Sequence, residues 1–587
     1  MIPFNPKFSQ TAAGYCLIIS LLGVIIFANH LNNPFQFDSV PYISNNAKLQ
    51  KPETLLTPEF LQKEFIHRGL LRISIALNVY LDGFKPFGFH LLSLAFHILN
   101  ALLLFFIFEK SFQRFHLSAL GWGNNRIRSI SFFAAVLFLC HPIQTESVIY
   151  IMSRSEVMAS TFYLIGFLLF QQLLERTSTS GLQYFFYFLI IILIILLGFS
   201  VKQIVATLPA SMIFYYFFSC PDNSPAWQFL KKWKWPLLVI CSALASLFFY
   251  KLFTDEAFLV GPSRTDQMVG RVKYMLSQPY VIIFYYLNKI FFPINLNIDP
   301  DIEVVTNFLS PSFLIPALCI FFLLVGSFRV FKNRIILFFL CWFFIILSPS
   351  SSIVTLHDLA AEHRIYLASA GVFILLAYWV SEVSCKWGKS QPLQIILICC
   401  LFLGMLGVLT IKRNTVWQSE LSLWQDTYQK SPYKLRPLIN LARAHGLLGE
   451  TDKAIQYYQE ALNQGPLIFA VNYNLGDLYM EKGLVPDAVQ RFLVATQISP
   501  ETFETFARLG DIYLSQNNFK LAESYFKQAV ELNPRFSIGF KNLGVLNFYH
   551  LNNAKQGIIY FTRSLTLDPD QPEADNIRLL LSEYSSH

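Results

Sequence analysis

A carboxylate follows the first apolar run of the chain, in the segment 35–38 that reads Phe-Gln-Phe-Asp. A carboxylate at an apolar membrane surface tends to have a raised pKa, and a raised pKa suits a general base. Taken alone, Asp38 fits a helix cap or an ordinary loop aspartate better. The hypothesis that Asp38 is a catalytic base therefore depends on what surrounds it.

Three arginines at the ends of apolar runs are candidate ligands for a phosphate group: Arg68, Arg154 and Arg364. Arginine makes bidentate contacts to phosphate. At the boundary between water and lipid it can hold a lipid phosphate while the lipid tail stays in the bilayer. The alternative is that these side chains only extend from the membrane toward water.

Two segments, 141–148 and 362–371, combine histidine with glutamate at the ends of apolar runs, where charges are costly and usually functional. They supply four candidates for orienting a sugar or an acceptor: His141, Glu146, Glu362 and His363. His90 and His97 are seven residues apart, on one face of a helix, and fit polar packing as well as a metal site. Neither a third ligand nor a zinc-like Cys/His spacing accompanies them, so we predict no metal-binding residues and no certain cofactor, and a requirement for a divalent metal stays open.

Apolar residues make up 54% of the 587 residues and charged residues 14%, against about 25% charged in soluble domains. The deficit ends near residue 412, which predicts a membrane domain over 1–412 and a soluble domain over 413–587. The net charge of +8 lies mostly in short loops between apolar runs. It therefore indicates membrane orientation and not nucleic-acid binding.

A spanning helix needs roughly 20 mostly apolar residues. Eleven spans are predicted near residues 11–30, 87–109, 129–141, 157–175, 184–201, 204–219, 236–254, 312–328, 335–349, 365–383 and 392–411. The apolar segment 279–293 contains Lys289 and ends at Pro293, so we interpret it as re-entrant or interfacial. Four basic loops then fall in the cytoplasm, and the C-terminal domain lies on the opposite side.

The C-terminal domain repeats with a period of 34 residues, which is the period of tetratricopeptide (TPR) repeats. Alanine, leucine and proline recur at this spacing, as in Ala454, Ala488 and Ala522. Such arrays are binding scaffolds with a concave groove. Asn440, Asn474 and Asn542 occupy one repeat position and could pair with a peptide backbone, although asparagine is also simply common there. The predicted fold class is all-α: a polytopic transmembrane helical domain followed by a TPR α-solenoid.

Read in order, these motifs resemble the transmembrane-and-TPR O-mannosyltransferases and their bacterial relatives, of the glycosyltransferase C type. The resemblance spans nearly the whole chain. It rests on the segments 35–38, 68–78, 88–97, 141–154, Lys202, 292–299, 362–367, 413–424 and then the repeats. Two positions depart from the family pattern, because Ser39 and Gln203 stand where the family often has acids. They weaken a metal interpretation and leave open an altered activity.

The resemblance implies inverting transfer of a sugar, typically mannose, from a polyprenyl-phosphate carrier to a protein hydroxyl. Asp38 would be the base, and Arg68, Arg364 and Arg154 would hold the donor phosphate. The repeats would present an exported protein as acceptor. Two alternatives remain: a glycosyltransferase acting on lipid or polysaccharide, and a non-catalytic scaffold of a cell-envelope complex. The sequence favours a bacterial inner membrane with a periplasmic TPR domain, or the ER membrane with a lumenal one.

Overall fold

The computed structural model describes residues 11–46, 49, 69–115, 123–175, 181–219, 270–330, 334–353, 355–387 and 392–585. Arg68 and the predicted span 236–254 lie outside the described residues, as does the basic loop at 231–234. The chain divides into two compact units, Met1–Ser431 and Pro432–His587. In the described residues of both units the regular elements are helices, as the all-α prediction requires.

The first unit contains fifteen α-helices within its described residues. They are α1 Ala12–Phe27, α2 Gly69–Asp82, α3 Pro86–Arg114, α4 Asn124–Cys140, α5 Thr145–Ile149, α6 Arg154–Glu175, α7 Gly181–Phe199, α8 Leu208–Ser219, α9 Arg271–Tyr280, α10 Asn288–Phe291, α11 Pro311–Val330, α12 Arg334–Leu347, α13 Ser369–Trp387, α14 Pro392–Thr415 and α15 Glu420–Lys430. Shorter helical turns at Gln203–Thr207, Val281–Leu287 and Glu362–Ile365 matter for the site.

The core of the first unit forms where α3 packs against α4 and α6, and where α13 packs against α4 and α12. Aromatic and aliphatic side chains such as Phe105 and Phe138 are fully buried there. Gly371 permits the closest approach, because a Cβ at this position would lie 2.6 Å from the backbone oxygen of Phe339. The apolar helices therefore bury one face against each other, while α1, α7 and α14 also expose many large apolar side chains.

Four helical segments in the described residues are long and apolar enough to cross a membrane: Ala12–His30, Pro86–Arg114, Ile151–Glu175 and Ile396–Gln418. A fifth is possible if Asn124–Cys140 and Pro142–Ile149, bent by 53° at their junction, count as one span. The other predicted spans inside the described residues coincide with shorter apolar helices. The chain is thus a multi-pass membrane protein, while the number of eleven spans stays a prediction.

Cations gather where α3 and α6 end and α4 begins. Lys110 pairs with Glu175 at 2.5 Å, Arg128 pairs with Glu109 at 2.7 Å, and the Nε of Arg114 donates to Ser219 at 2.9 Å. Arg126 also pairs with Glu382 of α13 at 2.9 Å. We call Lys110, Arg114, Arg126 and Arg128 the basic end of the first unit.

Several residues of the family-like motifs join helices inside the unit. The imidazole of His97 contacts the Tyr366 hydroxyl at 2.8 Å, and its other nitrogen donates to the backbone oxygen of Leu139 at 3.2 Å. Asn414 near the end of α14 donates to the backbone oxygen of Ile26 in α1 at 2.9 Å. These buried hydrogen bonds satisfy polar groups that would be costly to leave unpaired in an apolar core.

The second unit consists of antiparallel helix pairs: α16 Leu435–Leu447, α17 Thr451–Gln464, α18 Phe469–Glu481, α19 Val485–Ile498, α20 Phe503–Ser515, α21 Phe519–Leu532, α22 Ser537–Val545 and α23 Ala554–Leu567, followed by α24 Ala574–Ser585. The alanines of the 34-residue pattern are fully buried between paired helices. Left-handed residues mark the turn within each pair, at Gly449, Gly483, Asn517 and Asn552. Asn552 falls one residue late, so the fourth repeat carries one extra residue before this turn.

α15 directly precedes the repeat helices in the chain, but it belongs to the first unit. Its Leu423 and Trp424 are fully buried. The Trp424 ring contacts the ring of Phe37 at 5.4 Å between centroids. Burial of these apolar side chains, with Trp424 against the segment that follows α1, explains why α15 packs with the membrane unit.

Candidate active site

A cavity in the first unit has a volume of about 550 Å³. Its walls come from the start of α2, from the segment between α7 and α8, and from the segment between α12 and α13. The charged and ionisable residues that line it are Arg72, Glu156, Lys202, His357, Asp358, His363 and Arg364. The cavity thus brings Lys202 to the adjacent residues His363 and Arg364, from which it is distant in the sequence.

Three of the lining residues are permanent cations, against two carboxylates. One carboxylate, Glu156, is almost fully buried and forms an ion pair with Lys202. Arg364 is 7% exposed and lies in the helical turn before α13, where its Nη1 donates to the Tyr274 hydroxyl at 3.2 Å. The Tyr274 hydroxyl in turn donates to a backbone oxygen at 2.6 Å, which fixes the pair. An excess of positive charge in a partly enclosed cavity favours an anionic ligand.

The rest of the cavity wall is apolar: Phe199, Val201, Ile204, Ile346, Pro349 and Leu356. Phe199 is the last residue of α7, a helix whose side chains are mostly exposed in the isolated chain. Side chains of a membrane protein that are apolar and exposed in this way face lipid. The cavity therefore combines a cationic part with an apolar wall that begins at a lipid-facing helix.

Glu146 fixes the position of His363 at the cavity wall. One carboxylate oxygen accepts a hydrogen bond from Nδ1 of His363 at 2.6 Å, and the other accepts from the backbone N–H of His363 at 3.1 Å. The Glu146 carboxylate is 3% exposed, so this contact forms away from solvent. A carboxylate that holds one imidazole nitrogen sets the tautomer and leaves the other nitrogen for a ligand.

Glu362 lies behind the cavity and is fully buried. Its Oε1 accepts hydrogen bonds from the backbone N–H of Asn297 at 2.6 Å and from the Tyr285 hydroxyl at 3.2 Å. Burial, and then the nearby charge of Glu146, raise the pKa of Glu362 above its ordinary value, although Arg413 opposes the shift. Glu362 therefore holds a proton at a higher pH than a surface glutamate does.

Asp38 is half-buried and follows a strained residue, since Phe37 has a φ of 52°. Left-handed backbone is uncommon for a bulky residue and often marks a functional site. Asp38 lies near Tyr150, and burial, followed by the charge of Asp38, raises the pKa of the Tyr150 phenol. Among the described residues Asp38 is not part of the cavity wall. The charge of Glu146 also raises the pKa of the Tyr150 phenol, so both carboxylates lie near this one phenol.

Arg154 and His141 are placed differently from what the sequence suggests. Arg154 is fully buried, and its guanidinium donates to the Asn78 side chain at 2.7 Å and to the backbone oxygen of Phe89 at 2.8 Å. His141 donates to the backbone oxygen of Ile290 at 2.9 Å and accepts from a backbone N–H at 3.2 Å. Neither residue lines the cavity among the described residues, and both join helices.

Arg72, on α2, is the main cavity residue that was not predicted from the sequence. It stands four residues after Arg68 in the chain, and this second cation next to a candidate phosphate ligand is the signal that could have identified it. Tyr285 and Asn297 are missed for another reason, because only the folded chain brings them to Glu362.

In the repeat unit, the predicted groove asparagines already make hydrogen bonds within the unit. Asn440 donates to the backbone oxygen of Arg436 at 2.9 Å, and Asn474 donates to the Tyr458 hydroxyl at 2.9 Å. Asn542 donates to Asp511 at 3.2 Å. Each of these bonds uses one of the two N–H donors of the amide group.

No group of three or more His, Cys, Asp or Glu side chains in the described part of the chain is arranged to hold a metal ion.

The fold and the site define a helical membrane protein with C-terminal repeats, and the known proteins that this chain resembles belong to the same class. Residues 439–501 and 503–536 match tetratricopeptide repeat families, so the second unit carries TPR repeats. Human protein O-mannosyl-transferase TMTC1 is 22% identical over 527 residues, which cover 79% of this chain and 57% of the human protein. The protein O-mannosyl-transferase F38B6.6 of Caenorhabditis elegans is 24% identical over 470 residues, covering 77% of this chain and 62% of the worm protein.

Mouse protein O-mannosyl-transferase TMTC3 is 24% identical over 512 residues, which cover 79% of this chain and 52% of the mouse protein. The resemblance to transmembrane-and-TPR O-mannosyltransferases is therefore confirmed. The chain spans only about half to three-fifths of the length of these relatives. Among solved structures, MamA from Desulfovibrio magneticus RS-1 aligns with 26% of this chain and 85% of its own, at 19% identity and a TM-score of 0.24.

Proposed function

We propose that the chain is an integral-membrane, inverting glycosyltransferase. It moves a hexose, in the first place mannose, from a polyprenyl-phosphate carrier to a hydroxyl group of an exported protein, on the non-cytoplasmic side. The observation that carries the proposal is the cavity of about 550 Å³, in which Arg72, Lys202 and Arg364 stand beside an apolar wall. A lipid-linked phosphate sugar has the matching parts, because it joins an anion to a long apolar tail.

The cations would stabilise the leaving group. In the transfer, the bond between the anomeric carbon and the phosphate oxygen breaks while a bond to the acceptor oxygen forms. Negative charge then develops on the leaving phosphate, where fixed cations lower the barrier most. Arg364 is the first candidate, since Tyr274 holds its guanidinium at the cavity. Arg68 stays a candidate on sequence grounds, whereas Arg154 is enclosed by Asn78 and Phe89 and we leave it out.

A carboxylate would accept the proton of the acceptor hydroxyl. Asp38 is our first candidate, because it follows the strained Phe37 and shares Tyr150 with Glu146. His363, held by Glu146 at the cavity wall, would orient the sugar. Glu362 would support this arrangement from behind, and the TPR unit would recruit the exported acceptor. The relatives are named protein O-mannosyl-transferases, which supports a protein acceptor over a lipid acceptor.

The test is reconstitution of the full chain in proteoliposomes. Radiolabelled mannosyl-phosphopolyprenol and a Ser/Thr-rich peptide are added, and labelled peptide is measured. We expect transfer from the lipid-linked donor and none from the water-soluble GDP-mannose. Labelled lipid in place of labelled peptide would favour the alternative acceptor, and absence of any labelled product with an intact, folded protein would contradict the proposal.

A further inference from the structure

A second cavity of about 350 Å³ lies in the same unit and shares no lining residue with the first. It forms between the helical segment Val281–Leu287, the loop after α10, and the end of α15. Its lining is mainly polar, with amide, phenol, ammonium and carboxylate groups and little apolar surface. This cavity therefore suits a hydrophilic ligand and not a lipid tail.

The inner wall of the second cavity contacts the carboxylate behind the first one. Tyr285 and Asn297 both line the second cavity, and both donate hydrogen bonds to Oε1 of Glu362. Glu362 directly precedes His363, which lines the first cavity. A ligand in the second cavity would thus be separated from the donor side by little more than the Glu362–His363 segment.

The loop of the second cavity is held in place by α15. The Asn297 side chain donates to the Ser431 hydroxyl at 2.8 Å, and that hydroxyl donates to the backbone oxygen of Asp299 at 2.9 Å. The ammonium of Lys430 donates to the backbone oxygen of Leu296 at 2.8 Å. A binding surface that is already ordered loses less conformational entropy when a ligand binds.

Two side-chain amides at this cavity are exposed and have no hydrogen bond to any other described residue: Asn295 and Gln429. Asn295 adopts a left-handed conformation with a φ of 52°, which asparagine tolerates better than most residues. A primary amide offers both a donor and an acceptor, as a peptide bond does. The two amides can therefore pair with the backbone of an extended peptide.

Both ammonium groups of the cavity are used internally, and its third charged group is the exposed carboxylate of Asp301, which argues against a strongly anionic ligand. Lys430 pairs with Asp426 at 2.7 Å, and Lys289 donates to the backbone oxygen of Ile294 at 2.7 Å. The Lys289 ammonium also lies 5.7 Å from the centroid of the Tyr285 ring. It thus occupies a face of the aromatic ring on which a sugar would stack.

We propose that the second cavity binds an extended segment of the acceptor peptide next to the hydroxyl to be modified, with Asn295 and Gln429 pairing with the peptide backbone. This inference rests on the proposed function for its biological meaning. Peptide binding itself can be measured without sugar transfer, so the two can fail separately.

The experiment uses the full chain in lipid nanodiscs. The double variant Asn295→Gly, Gln429→Leu removes both amides, and glycine keeps the left-handed backbone without strain. The control is Gln425→Leu, an exposed amide one helical turn earlier on α15 that does not line the cavity. The probes are a fluorescein-labelled Ser/Thr-rich decapeptide, followed by anisotropy, and mannosyl-phosphopolyprenol, followed by its own binding.

We expect the peptide Kd to rise about tenfold in the double variant, as the loss of two hydrogen bonds predicts. Donor binding should be unchanged in both variants, which also reports that the fold is intact. Unchanged peptide affinity in the double variant would overturn the inference, as would loss of donor binding with unchanged peptide binding. Peptide binding that depends on both amides, without any transfer, would support the inference and contradict the proposed function.

Discussion

The two ends of the first unit carry similar cations in different surroundings. At the basic end, Arg126 and Arg128 pair with glutamates of neighbouring helices near the surface. At the other end, Arg72, Lys202 and Arg364 line one cavity together with an apolar wall. In sequence, both sets are Lys and Arg residues next to apolar runs. The difference shows that a ligand site is defined by the cavity that collects the cations, and that charge next to an apolar run marks only the membrane boundary.

The largest expected effect is in membrane topology, because this comparison requires the two ends to lie on opposite sides of the membrane. Asn125→Cys marks the basic end and Asn307→Cys marks the opposite end, and both positions are exposed. In a background without the native cysteines, an impermeant thiol reagent added to intact cells should label only Asn307→Cys. The expected contrast is all or none, because lipid separates the two sites.

Labelling of Asn125→Cys in intact cells, with protection of Asn307→Cys, would reverse the orientation. The proposed transfer on the non-cytoplasmic side would then be wrong. Equal labelling of both after lysis is the control that both thiols are reactive.

The next largest effect should come from Asp38. Asp38→Asn keeps the shape of the side chain and removes the basic oxygen. Positioned acid–base catalysis contributes roughly 10²- to 10⁴-fold, so we expect kcat for peptide mannosylation to fall by about that factor, with donor binding little changed. The matched control is Asp82→Asn, which makes the same chemical change at an aspartate that pairs with Lys85 at 3.5 Å.

A wild-type rate in Asp38→Asn would show that Asp38 is not the base. Glu146 would then be the first carboxylate to test, because it shares Tyr150 with Asp38 and already holds His363. Retained activity of both Asp38→Asn and Glu146→Gln would assign the base to another group, whereas absence of transfer already in the folded wild-type chain would favour the non-catalytic scaffold.

Local patterns allow much of this molecule to be predicted. The 34-residue period defines the repeats because the first three bury alanines at the same positions and all four repeat the same turn. Apolar runs locate helices for a similar reason, since a helix in lipid must satisfy its own backbone groups. The site is harder to predict, because burial decides it. Arg154 and Arg364 look alike in sequence, but only the fold encloses one between Asn78 and Phe89 and brings the other to a cavity.

Donor binding distinguishes the two kinds of cation directly. Arg364→Ala removes a cavity cation, and a hydrogen bond to a charged group is worth about 1.5–3 kcal/mol. We expect the Kd for mannosyl-phosphopolyprenol to rise about 10- to 100-fold. Arg126→Ala removes a cation of the basic end, where a surface ion pair contributes about 0–1 kcal/mol to stability. Its donor Kd should stay within about twofold of the wild-type value.

Wild-type donor affinity in both Arg364→Ala and Arg126→Ala would contradict the assignment of the cavity as the donor site. A matching loss in both variants would point to a general effect of net charge on the association with an anionic lipid, which added salt would weaken.

The smallest effect concerns the pH dependence of stability, and it compares a buried carboxylate with a surface one. Burial and Glu146 raise the pKa of Glu362, so its neutral form is favoured in the folded chain. Its stabilising contribution is complete below the ordinary glutamate pKa of about 4.3 and is lost as the pH rises through the raised value. One such group changes the free energy of unfolding by at most about 1.36 kcal/mol per pH unit.

Glu362→Gln removes this titration, so the fall in Tm between mildly acidic and alkaline pH should be shallower than in the wild type. Glu382→Gln at the basic end is the matched control and should keep the wild-type slope. A Glu362→Gln slope identical to wild type would mean that Glu362 is ionised throughout this range, stabilised by Arg413 more strongly than burial opposes it.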